Sequence, residues 1–174
     1  MCSRQWSWLP WEKCYIELVK VSYWLEANKL SLNVSKSKYM LTLKNKALQS
    51  KFSVKINGET LEECSSYKYL GVFIDKNLTW KPHIENVCKK VAKACGFLAK
   101  LRHCAHIDTL ISVYYALIYS YIRYGIISWG NASQTTLQPL NSLANRAVRI
   151  MTFAPFGNID LDSIYEYLNI PKLS

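Results

Sequence analysis

The chain has 174 residues, with 22 Lys and Arg against 12 Asp and Glu, a formal charge of +10. Half of the residues are hydrophobic and 20% are charged, which excludes wholesale disorder and fits one ordinary domain or part of a larger one. The positive excess points to a polyanionic partner, most often nucleic acid. Residues Met1–Cys14 contain no apolar run to act as a secretory signal. Cys2, Cys14, Cys64, Cys88, Cys95 and Cys104 are too thinly spread for a disulfide framework. The expectation is an intracellular protein, nuclear or cytoplasmic, that is not secreted.

Trp6, Trp8 and Trp11 crowd around Pro10, unlike a settled domain edge. From Trp11 to Leu30 the residues Ile16, Val19, Tyr23 and Leu30, widened by Trp24 and Leu25, recur near helical spacing. A β-rich stretch follows. Tyr39–Leu43 is short and apolar, and Phe52, Val54 and Ile56 alternate with Ser53 and Lys55. Asn57-Gly58 predicts a tight hairpin turn, since both residues tolerate positive φ. Tyr67–Ile74 reads as a last strand, apolar on both faces and therefore expected to be buried. Beyond Thr79 the period becomes helical. Ile84, Val87, Val91, Ala94, Leu98 and Leu101 make one amphipathic stripe. A second helix is expected from a cap at Asp108 or Thr109 to about Trp129. A third runs from Gln134 to Phe153, with Leu137, Leu140, Leu143, Ala147, Val148 and Met151 inward. Pro155 and Gly157 end it, and a short helix follows over Asp160–Leu168. One helix, three or four strands and then helices alone define an α+β chain, or the seam between an α/β and a helical domain.

Charge divides along the same line. Ser31–Gly58 carries Lys36, Lys38, Lys44, Lys46, Lys51 and Lys55 and no acidic residue. On the first long helix Lys89, Lys93 and Lys100 share a face with Gly96, opposite the apolar stripe. Ammonium groups at this pitch can follow a phosphate backbone, and a glycine among them allows close approach. The competing reading is a solvated helix face with one tolerated glycine. Leu110–Trp129 is nearly all apolar or tyrosine, with Arg123 as its sole charge, and about twenty such residues approach a membrane span. Tyr114, Tyr115, Tyr119, Tyr121 and Tyr124 lie through its middle, where a span would place them at its ends. A helix buried on most sides by protein is the expectation, with no membrane partner. Cys88, Cys95, Cys104, His83, His103 and His106 form neither a CxxC knuckle nor an HxxxH pair, so no metal site is expected. Asp75 ends the last strand and reads as a turn-forming aspartate. No nucleophile elbow, zincin motif or phosphate loop occurs.

Four blocks, in order, carry a family resemblance. SVKINGETLEECSSYKYLGVFIDKNLTWKPHI resembles the segment closing the palm in reverse transcriptases of non-LTR (LINE-type, jockey-like) retrotransposons. ANKLSLNVSKSKYM is similar to the stretch after the catalytic aspartates of that family. LISVYYALIYSYIRYGIISWGNAS and LQPLNSLANRAVRIM resemble its thumb and the region beyond. The resemblance implies a partial polymerase palm over 21–78, containing a helix and three or four strands with a hairpin, and an all-helical thumb bundle and following region over 79–174. Residues 1–20 match nothing in the family.

In that family, two magnesium ions bound by palm aspartates clamp the attacking 3′-oxygen and the leaving phosphate oxygens. Some of those aspartates lie in a Tyr-Ala-Asp-Asp-type hairpin. The sequence contains no such hairpin, so the resemblance implies a fragment without polymerase activity of its own, no catalytic residue and no cofactor. Tyr69-Leu70-Gly71 matches the primer grip, where Gly71 lets the sugar-phosphate approach; the bland alternative is a packing glycine in a buried strand. Lys36, in NVSKSK, matches an Asn-x-x-Lys pattern beside the triphosphate, where a lysine of lowered pKa can protonate pyrophosphate; a solvated lysine is the ordinary alternative. Ser37 stands where the family commonly has Thr. Lys89, Lys93 and Lys100 fall on the thumb helix that rides along template–primer. Arg146 and Arg149, in NRAVR, would add backbone contacts or form surface ion pairs. The partners implied are an RNA–DNA template–primer or other nucleic acid, read by shape and phosphates. The exposed strand edge would also accept the missing catalytic half or another protein. The alternative function is a non-enzymatic interaction or scaffold module that reuses the helical thumb.

Overall fold

A computed structural model describes residues 10–42, 53–154 and 160–172. Trp6, Trp8, Leu43, Lys44, Lys46, Lys51, Phe52, Pro155 and Gly157, invoked above, lie outside the described residues. Helix and strand are both present, in keeping with an α+β chain. Two units divide it, Met1–Tyr67 and Lys68–Ser174.

In the first unit, helix α1 (Pro10–Ala27) is followed by a 3-10 turn at Val34–Lys36 and strand β1 (Lys38–Tyr39). The helix has the expected period, but its stripe is not buried. Ile16, Val19, Tyr23, Trp24 and Leu30 are all at least half exposed. Strands β2 (Lys55–Ile56) and β3 (Glu59–Thr60) pair antiparallel about Asn57-Gly58, with Lys55 opposite Thr60 and Ile56 opposite Glu59. Both turn residues have positive φ, 50° and 79°, as a two-residue type I′ turn requires. Strand β4 (Glu62–Glu63) runs parallel to β1, and the Lys38 ammonium reaches the Glu62 carboxylate at 3.0 Å.

The predicted strand over Tyr67–Ile74 is instead a hairpin. Strand β5 (Ser66–Tyr69) turns at Leu70-Gly71 into β6 (Val72–Asp75). β5 is exposed throughout, whereas β6 is half-buried and ends at buried Asp75. Leucine in the first turn position, with φ 45°, hid the reversal inside an apolar run. Among the described residues there are therefore six short strands in three two-stranded ladders, where three or four longer strands were expected.

The second unit is built on α2 (Lys81–Leu101) and α6 (Gln134–Thr152). Both follow the predicted stripes. Ile84, Val87, Val91, Ala94, Cys95 and Leu98 on α2 and Leu140, Ala144, Ala147, Val148 and Met151 on α6 enter one core. Leu101, Leu137 and Leu143 are half-buried at its edge. The long second helix predicted over 108–129 is broken. Helix α3 (Ile107–Tyr114) passes through a π-helical turn (Tyr115–Tyr119) into α4 (Ser120–Arg123), and α5 (Ile126–Trp129) is separate. The N-cap is His106 rather than Asp108 or Thr109. The break falls at Tyr124-Gly125, where Gly125 takes φ 66°. Burial here is one-sided: Leu110, Tyr114, Ile118, Ile122 and Trp129 are buried, while Tyr121, Tyr124 and Ile127 face out. Helix α7 (Leu161–Tyr167) is capped by Asp160, whose carboxylate accepts the Asp162 amide. No helix among the described residues is long and apolar enough to cross a membrane.

Candidate nucleic-acid interface

In the second unit the Leu70-Gly71 turn and β6 are seated on helices. The Tyr124 hydroxyl donates to the Leu70 carbonyl. Its ring lies 3.4 Å from where a Cβ on Gly71 would stand, and Gly71 has φ 87°. Gly71 is thus a turn glycine, not a packing glycine within a strand. Farther along, the Phe73 amide donates to His83 Nδ1 at 3.4 Å, and the His83 ring packs 5.5 Å from that of Trp129. Trp129 Nε1 in turn donates to the Tyr124 carbonyl at 2.9 Å. The tip stands clear: Tyr69 is 59% and Leu70 73% exposed. The Lys68 ammonium lies over the Phe73 ring at 5.7 Å.

The hairpin passes into α2 through a loop ordered by Asp75. Its carboxylate accepts the Thr79 amide and hydroxyl and the Trp80 amide. Burial pushes this carboxyl up, but the hydrogen bonds from Thr79 and Trp80 outweigh it and leave the pKa below its ordinary value. The turn-forming reading of Asp75 therefore holds. Both of its oxygens are occupied by the loop. No group of three or more His, Cys, Asp or Glu able to hold a metal ion occurs among the described residues. These residues do not fit the aspartate-bound magnesium pair of a polymerase. Cys95 is buried and Cys88 half-buried, each with its thiol pushed up by burial, as small apolar side chains on a packed helix face.

Lys89, Lys93 and Lys100 are all exposed on α2, as is Gly96, with open space where its Cβ would be. At 1.5 Å per residue the three lysines span roughly 16 Å of helix. Their face is opposite the core residues that meet α6, so it is free of packing demands. The adjacent Lys90 ammonium rests over the Tyr121 ring at 4.8 Å. Arg146 is exposed and Arg149 half-buried, both on α6.

In the first unit, Asn33 caps the turn that carries Lys36. The Asn33 side chain accepts the Lys36 amide at 3.2 Å, and the Ser37 hydroxyl donates to the Asn33 carbonyl at 2.9 Å. Asn33 and the hydroxyl retained at Ser37 thus each have a local structural use in this turn. Lys36 itself is exposed.

Tyr124, His83 and Trp129, the supports of the hairpin, are not marked by periodicity in the sequence. The signal was the Tyr-Gly dipeptide, which breaks an otherwise continuous apolar run.

Over 124 residues, 69% of its length, this chain is 28% identical to the RNA-directed DNA polymerase from mobile element jockey of Drosophila melanogaster. The chain is related to the RNA-directed DNA polymerases of non-LTR retrotransposons. A probable RNA-directed DNA polymerase from transposon BS of the same species is 28% identical over 59% of the chain, and that of the X-element 25% identical over 76%. The matched stretches are 13%, 12% and 15% of those polymerases, so the chain spans a small part of the relatives it matches. No family model matches, and no solved structure does.

Proposed function

We propose that this chain corresponds to the end of the palm, the primer grip and the thumb of a non-LTR retrotransposon reverse transcriptase, and that its own property is sequence-independent binding of an RNA–DNA template–primer. Residues 21–78 are the palm edge and 79–174 the thumb with its following region. The observation that carries this is the exposed Lys89–Lys93–Gly96–Lys100 face of α2, in a chain related to enzymes that act on nucleic acid. The lysines bind successive phosphates and release counterions, and Gly96 leaves room for the sugar-phosphate to lie against the helix. The Tyr69-Leu70-Gly71 tip meets the primer strand. Lys36 is the residue for the triphosphate side, and Arg146 and Arg149 supply outlying phosphate contacts. Nucleotide transfer belongs to the whole polymerase, since the family's metal-binding aspartates are not in these 174 residues.

A second reading has one observation in its favour. Ile16, Val19, Tyr23 and Trp24 leave an apolar face of α1 exposed, as a protein-interaction module would. The two readings separate in a binding assay with several hybrids of unrelated sequence. The nucleic-acid reading requires near-equal affinity for all of them and indifference to Val19→Ser or Tyr23→Ser. Failure of the folded chain to bind any hybrid at low salt would overturn it.

A further inference from the structure

We propose that Tyr124 is a positioning residue that imposes the conformation of the Leu70-Gly71 turn, an inference that deepens the reading of that turn as a primer-contacting element. Among the described residues two tight turns of the same kind occur, and they compare directly. Asn57-Gly58 has φ values of 50° and 79°, Leu70-Gly71 of 45° and 87°. Asn-Gly adopts this geometry on its own propensity, and nothing lies within 4 Å of the Cβ position of Gly58. Leucine does not: a left-handed conformation crowds its Cβ against the backbone, and at 73% exposure its side chain gains little burial in return.

The missing preference is supplied from the helical layer. Tyr124 places its hydroxyl on the Leu70 carbonyl and its ring against Gly71. Tyr124 is itself fixed, because Trp129 Nε1 holds its carbonyl. Its neighbour Gly125 turns with φ 66°, and a Cβ there would stand 3.1 Å from the Val72 Cγ2. An unfavourable residue held at an exposed tip by a distant side chain is strain kept for a purpose. Leucine offers an apolar contact to a sugar or base that asparagine would not, and Tyr124 lets it stand in a turn made for asparagine.

The test uses Tyr124→Phe, Leu70→Asn and the double variant, read by hydrogen–deuterium exchange of the hairpin amides and by affinity for an RNA–DNA template–primer. Tyr124→Phe keeps the ring and removes one hydrogen bond, so hairpin exchange rises about fivefold and affinity falls by a similar factor. In the Leu70→Asn background the same change leaves exchange unaltered, since Asn-Gly holds the turn unaided. Wild-type exchange in Tyr124→Phe, or a rise that Leu70→Asn does not rescue, overturns the proposal. If the wild-type chain binds no template–primer, the functional reading fails while the exchange comparison still decides the brace.

Discussion

The Asp75 carboxylate accepts the backbone amide of Trp80 at 2.8 Å, across the loop that joins the hairpin to the lysine-bearing helix. Trp80 stands at φ 62° immediately before α2 and offers no side-chain cap of its own. The end of a strand therefore orders the approach to α2, and the Thr79 hydroxyl it holds accepts the Lys81 amide at 3.4 Å, which fixes where α2 begins relative to the hairpin.

Removing that carboxylate destabilises the second unit. Asp75→Ala leaves the Thr79 and Trp80 amides without their acceptor, at a cost of about 1–3 kcal/mol. The folded-state pKa lies below the ordinary 3.8, so this contribution is present above pH 4 and is lost as pH falls through 3.8 and on through the folded value. Urea melts of wild type and Asp75→Ala should differ most at pH 7, with the gap narrowing once the pH is below 3.8. An equal difference at both pH values would contradict this.

His83 has the opposite chemistry and the same direction. Its burial, with Lys90 adding to the effect, lowers the imidazole pKa below the ordinary 6.5. Neutral His83 accepts the Phe73 amide; the imidazolium cannot. The unfolded chain binds this proton more readily than the folded one, so stability is full above pH 6.5 and declines as pH falls below it. Wild type should lose stability between pH 7 and 5 more steeply than His83→Gln. Parallel slopes would refute the assignment.

Phe97 and Leu98 are neighbours with opposite fates. Leu98 is fully buried between α2 and the rest of the core, while Phe97 is 51% exposed. Leu98→Ala should cost about 2–5 kcal/mol through lost burial and the cavity left behind. Phe97→Ala should cost well under half as much. Thermal melts of the two variants, purified side by side, make the comparison, and equal losses would show that the core is assigned to the wrong face.

Sequence periodicity carried far where burial and period coincide, and failed where they separate. The stripe of α2 from Ile84 to Leu98 and that of α6 from Leu140 to Met151 were legible because each faces a single core. Asn57-Gly58 was legible because both residues prefer the conformation they adopt. Leu70-Gly71 was not, since leucine adopts its positive φ under tertiary constraint, here the Tyr124 hydroxyl. The Tyr124-Gly125 break was hidden by apolar residues on both sides. Ile16, Val19 and Tyr23 predicted the helix they form, but period alone does not say what covers a face. The lysine face was legible as a spacing, and the structure adds that it is exposed and opposite the core.

The strands carry a further consequence. Among the described residues each ladder has two strands, so every strand presents an unpaired edge. The chain should aggregate on concentration, with the helices of the second unit the most persistent part under limited proteolysis. A monomer at high concentration with one sharp cooperative melt would contradict this.

The most direct measurement is fluorescence anisotropy of a labelled RNA–DNA template–primer titrated with the purified chain across a salt series. The thumb reading predicts affinity that falls steeply with salt. It also predicts that replacing Lys89, Lys93 and Lys100 with Glu weakens binding and lowers the log–log salt slope by about 2–3. A folded wild-type chain that does not bind at low salt, or a triple variant that binds as well as wild type with the same slope, would contradict it.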